Sequence, residues 1–106
     1  MHTIKIKPLS VNQAWQGKRF KTNEYKKYER DCLFLLPQIE VPGGKLKVEI
    51  VVGFSNSGSD IDNILKPFFD ILQKKYKFND SKIYELNVKK EIVKKGYEYI
   101  SFQIHN

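Results

Sequence analysis

The chain has 106 residues, of which 41% are hydrophobic and 13% aromatic, so it can bury one core and is too short for two domains. It carries 19 Lys and Arg against 12 Asp and Glu, a net charge of +7, which favours an anionic partner, nucleic acid foremost. A single cysteine excludes an intrachain disulfide framework. The first residues, Met1 to Lys7, lack the apolar run of a signal peptide, and no stretch approaches the roughly 18 apolar residues of a membrane span. The expectation is a soluble, cytoplasmic protein with no membrane attachment.

Ile4 and Ile6 alternate with Thr3, Lys5 and Lys7, which predicts a half-buried strand over 3–7 that Pro8 ends. From Leu9 to Lys21 no period holds, and Trp15 and Phe20 stand among Lys18, Arg19 and Lys21, so a basic loop bearing aromatics is expected. Two readings of this loop stay open. Trp15 anchors it to the core while its lysines are solvated, or Asn12, Trp15, Lys18, Arg19 and Lys21 meet nucleic acid, the cations on phosphates and the indole on an unpaired base.

Thr22 is a helix N-cap, Glu24 sits in the first turn, and Tyr25, Tyr28, Cys32, Leu35 and Leu36 recur at helical spacing up to Pro37. Cys32 reads as core filler, not as a nucleophile. After the Pro42-Gly43-Gly44 turn, Leu46, Val48, Ile50 and Val52 define a strand reaching about Phe54. A polar connection, Ser55 to Ser59, leads to a helix expected from about Asp62 to Lys74 or Lys75, with Pro67 a misfit in its second turn. Residues 83–93 form another strand; Lys94-Lys95-Gly96 turns the chain, and Ile100, Phe102 and Ile104 mark a last strand, the two read as an antiparallel hairpin. The whole, residues 1–106, is predicted as one mixed α/β (α+β) domain in the order β-α-β-α-β-β, with two main helices on a mixed sheet.

The chemistry centres on Asp60-Ile61-Asp62-Asn63-Ile64-Leu65-Lys66, with Asp70 and Asp80 following. An aspartate four residues from a lysine is a common surface pair worth ~0.2–0.5 kcal/mol, and Asp60 or Asp62 would serve as an N-cap. Each role explains one acid. Crowded carboxylates repel by about 4 kcal/mol at ~4 Å in an effective dielectric near 20, unless a cation neutralises them. Hard oxygen ligands suit Mg²⁺, which completes its shell with water and substrate phosphate, and Lys66 would stabilise charge on a phosphoryl group. Spacing alone leaves metal site and structural charge pairs both standing.

The run Asp60-Ile61-Asp62-Asn63-Ile64-Leu65-Lys66-Pro67-Phe68-Phe69-Asp70, followed by Asn79-Asp80-Ser81-Lys82-Ile83, resembles the signature of the RusA family of Holliday junction resolvases. The segment Pro8 to Trp15 and the later Tyr25 resemble that family's N-terminal part, so the likeness covers most of the chain. It implies a homodimeric, Mg²⁺-dependent endonuclease of mixed α/β fold, with Mn²⁺ a substitute, that nicks four-way DNA junctions in recombination and repair. By position it implies Asp60, Asp62 and Asp80 as metal-binding acids, Lys66 as the catalytic lysine, and Asn63 and Asp70 in support. Asn79 stands where the family often has a second aspartate, which removes one negative charge.

Overall fold

The computed structural model describes residues 1–16 and 20–106. Its central strand is β4 (Leu46–Phe54), in which Leu46, Val48, Ile50, Val52 and Phe54 are buried while Lys47, Glu49 and Val51 on the other face reach solvent in varying degree. Such alternation is that of a sheet covered on one side. The cover is α2 (Asn23–Leu35) and α3 (Leu65–Tyr76), whose Tyr25, Tyr28, Cys32, Phe68, Ile71 and Leu72 join the same core. The predicted class, one small domain with two main helices on a mixed sheet, is what the chain adopts.

Four strands line up as β1-β6-β4-β5, with β1 (His2–Ile4), β5 (Ile83–Ile92) and β6 (Tyr99–His105). Strand β6 runs antiparallel to both β1 and β4, whereas β5 runs parallel to β4. The expected β5/β6 hairpin is therefore wrong. Parallel neighbours need a crossover, and α3 supplies it between β4 and β5. The Val93 amide then donates to the Phe54 carbonyl at 2.7 Å, the chain turns at Gly96 (φ +94°), and residues 94–98 carry it past the end of β4 to that strand's other side. The buried Ile100, Phe102 and Ile104 of β6 explain its inner place; β5 has no residue as deeply covered.

Three boundaries also move. The first strand stops at Ile4, although Ile6 still packs against the core. The segment expected to be loop contains a short helix α1 (Val11–Ala14), closed by the reciprocal Ser10/Gln13 capping box, and a ribbon of β2 (Trp15–Gln16) and β3 (Phe20–Lys21). Thr22 caps α2 as expected, accepting from the Tyr25 amide at 3.1 Å. Before α3 the chain makes a 3₁₀ turn over Ile61–Ile64, so the α-helix begins at Leu65, and Pro67 is its third residue. A proline there removes only an amide that the first turn leaves without an intrahelical partner.

Candidate active site

The exit of β4 is tied down from two sides. Asn56 Oδ1 accepts from the Gly58 amide at 2.7 Å, a local turn, and Lys90 on neighbouring β5 donates to the backbone carbonyls of Ser57 (3.1 Å) and Ser59 (2.9 Å). The loop thus delivers Asp60 to the start of the 3₁₀ turn, with Asp62 inside it; both are exposed. Asp60 occupies the N-cap position, yet its carboxylate makes no cap bond. Among the described residues its one side-chain partner is the Asn63 side-chain amide, at 3.4 Å. A simple capping role therefore does not account for Asp60.

Lys66 follows one turn later and donates to Asp70 at 3.0 Å across the helix surface. The pair is exposed enough to contribute only ~0.2–0.5 kcal/mol and to release the ammonium readily. Beside Asp60 opens a cleft of about 400 Å³, lined by Lys7, Gln13, Asn56, Ser59, Asn63 and Glu98 among others.

Glu98 is a site residue that sequence reasoning missed. It accepts from Ser55 Oγ at 2.9 Å and from the Gly96 amide at 2.8 Å, joining the end of β4 to the turn before β6. Its own backbone N–H and the Ser55 hydroxyl hold its pKa below the usual carboxylate range. Nothing in sequence marks Glu98, because Ser55 and Glu98 meet only through the crossing of residues 94–98 over β4.

Asp80 lies elsewhere. It opens a second 3₁₀ turn, Asp80–Lys82, capped by Asn79, whose side chain accepts from the Ser81 amide at 2.9 Å; the Asp80 amide itself donates to Gln73 Oε1 at 2.8 Å. The position next to Asp80 thus works as a cap, which Asn does as well as an acid. Gln73 is in the last turn of α3, and 12 residues of helix at about 1.5 Å each separate the two ends by about 18 Å. Asp60 and Asp62 sit at one end of the β4-α3-β5 unit and Asp80 at the other. Among the described residues no three Asp, Glu, His or Cys side chains gather closely enough to share an ion. Within one chain the structure therefore brings Asp60 and Asp62 together and leaves Asp80 apart from them.

Of the predicted nucleic-acid contacts, Asn12 is exposed on α1, whereas Trp15 is half-buried, packed edge-on against Tyr25 with centroids 5.0 Å apart. Lys21 donates to Glu29 at 3.1 Å and lies 5.2 Å from the Tyr25 ring centre. Lys18 and Arg19 fall outside the described residues. Phe20, 73% exposed beside Lys21, is the aromatic that the ribbon turns to solvent. Cys32 is fully buried and burial pushes its thiol up to about 12, which makes it inert as a nucleophile.

A mixed α/β domain with two exposed carboxylates and a lysine at one sheet end, in a basic chain, has the makings of a phosphodiester-handling enzyme. A family model described as endodeoxyribonuclease RusA matches residues 6–101, and the chain belongs to that family. No curated protein matches it significantly. No helix among the described residues is long and apolar enough to cross a membrane.

Proposed function

We propose that the protein is a Mg²⁺-dependent endodeoxyribonuclease that resolves four-way DNA junctions in recombination and repair, acting as a homodimer whose metal sites are each built from two subunits. The observation that carries the reading is the separation of the acids. Asp60 and Asp62 point from one end of the β4-α3-β5 unit and Asp80 from the other, so a two-fold arrangement that sets opposite ends together assembles all three twice.

The donor set fits the ion. All three side chains are exposed carboxylates, hard oxygen ligands, and a site of two or three of them leaves positions for phosphate and water, as Mg²⁺ and Mn²⁺ require. When bound, the ion supplies Lewis-acid polarisation of the scissile phosphate and activates water for attack. The chain's own groups do the rest. Lys66 leaves Asp70 to meet the negative charge that builds on the phosphoryl oxygens, and Asn63 steadies Asp60. The segment holding Asn12, Trp15, Lys18, Arg19 and Lys21 engages the backbone of the DNA arms, with Trp15 fixing its base on Tyr25.

Subunit mixing tests this. Asp62→Asn and Asp80→Asn chains are each inactive alone, but their heterodimer contains one intact site when the acids come from different subunits. A labelled four-way junction should therefore be nicked by the mixture with Mg²⁺ and spared with EDTA. A mixture as dead as its parents overturns shared sites, and a wild-type protein that binds junctions without cutting under any divalent metal overturns the enzyme.

A further inference from the structure

We propose that the turn at residues 94–97 is a further DNA contact beside the candidate site: the Tyr97 ring stacks on an unpaired base, while Lys94 and Lys95 meet the flanking phosphates. That DNA is the ligand rests on the nuclease reading above; the contact rests on the turn itself.

A lone exposed tyrosine is ordinary on a protein surface. Tyr97 is 72% exposed, and what sets it apart is how firmly its backbone is placed. The Tyr97 amide donates to the Lys94 carbonyl at 2.9 Å, and Gly96, the third residue of the four, takes φ +94°, the geometry of a type II turn. Just before the turn the Val93 amide is bound to the Phe54 carbonyl at 2.7 Å. Just after it Glu98 accepts from the Gly96 amide at 2.8 Å and from the Ser55 hydroxyl at 2.9 Å. Phe54 and Ser55 stand at the exit of β4, in the run that leads to Asp60. The turn is thus tied to the same piece of chain that delivers the acids, and a ring on a braced turn loses little freedom on meeting a base.

The turn also borders the cleft of Asp60. Glu98, next to Tyr97, lines that cleft together with Lys7, Asn63 and Asp60, so a strand whose phosphate lies at Asp60 can follow the cleft to the foot of the turn. Lys94 and Lys95 are exposed, and neither joins an ion pair among the described residues; Lys7 adds a third exposed ammonium within the cleft. The one acid of the segment, Glu98, has one oxygen on Gly96 and the other on Ser55. Cations grouped about an exposed ring suit a single strand, in which charge meets phosphate and the ring meets an open base face. A paired duplex offers no such face. Tyr97 therefore adds affinity only where pairing is broken, as at the branch point of a junction, and its role is to favour branched over linear DNA.

Binding measured in EDTA separates the contact from cleavage. The probes are a four-way junction and a linear duplex of the same arm sequence. Tyr97→Ala should weaken junction binding about tenfold or more and leave duplex binding unchanged, and Tyr97→Phe should bind as the parent does, since stacking needs the ring and not the hydroxyl. The emission of Tyr97→Trp, after subtraction of the Trp15 signal measured in the parent, should be quenched by the junction and not by the duplex. Replacing Lys94 and Lys95 together by Ala should lower the slope of log affinity against log salt by about two for each subunit that makes the contact. Parent-like junction affinity in Tyr97→Ala, an equal loss on duplex, or an unquenched Tyr97→Trp overturns the stacking, and an unchanged salt slope overturns the phosphate contacts. A parent protein that prefers junctions through Tyr97 yet never cuts them with Mg²⁺ would sink the nuclease reading and keep this contact; junction cleavage with Tyr97→Ala binding as tightly as the parent would do the reverse.

Discussion

Gly53, next to the end of β4, is a sharp test of how the sheet supports the site. The Tyr99 ring from β6 lies across it, so that a Cβ at position 53 would stand 2.4 Å from Cε1 and 2.5 Å from Cδ1, well over an ångström inside ordinary carbon contact. Backbone cannot yield there, since Gly53 is paired with Tyr99 on one side and Glu91 on the other. Gly53→Ala must therefore swing the ring away and break the 2.7 Å bond from the Tyr99 hydroxyl to Glu91. Overpacking of this kind costs about 1–3 kcal/mol, while replacing glycine in a strand gains about 0.5–1 kcal/mol, for a net loss of up to about 2.5 kcal/mol. In a Tyr99→Ala background the obstruction is gone and only the gain remains. Urea unfolding of the four proteins of this cycle measures the coupling directly. An equal cost of Gly53→Ala in both backgrounds would refute the account.

Lys66→Met should leave thermal stability within about 0.5 kcal/mol, because its partner Asp70 is only a surface pair, and lower junction cleavage ~10²–10³-fold; retained cleavage would remove Lys66 from the chemistry. Lys90→Ala frees the loop of Asp60 and should cut the cleavage rate about tenfold with junction affinity held, since misplacing a reacting group by an ångström costs as much or more. A matching loss of affinity would make Lys90 a phosphate contact instead. Tyr99 is raised from 10 to about 12, chiefly by its bond to the Glu91 carboxylate, so its contribution is complete below pH ~10, where the unfolded chain is also protonated, and is lost as pH rises toward 12. Tyr99→Phe should flatten that part of the stability profile, and an unchanged profile would count against the bond.

Much of the fold was legible because its strands and helices are amphipathic. The alternation of Leu46, Val48, Ile50 and Val52 and the helical recurrence of Tyr25, Tyr28 and Cys32 are direct imprints of a one-sided core. Thr22 and the Asp60 to Lys66 run were equally visible as a cap and as a concentration of acid in a basic chain. What periodicity does not carry is neighbourhood. Trp15 settles on Tyr25 and Lys21 reaches Glu29 by packing that no spacing announces, and Glu98 meets Ser55 only because a turn crosses the end of a strand.

The parallel placement of β5 matters most for function. If a strand is followed by a helix and then by an antiparallel neighbour, the residues leaving the first strand and those starting the second lie at the same end. If the second strand is parallel, they lie at opposite ends, a helix length apart. The sequence pattern of Asp60 and Asp62, one helix, then Asp80 is compatible with either. Once β5 is seen to run with β4, three acids of one motif have no common place in a single chain. The separation of Asp80 from Asp60 and Asp62 by a parallel strand is thus what makes the proposed metal site depend on a second subunit, and what the mixing of Asp62→Asn and Asp80→Asn chains would test.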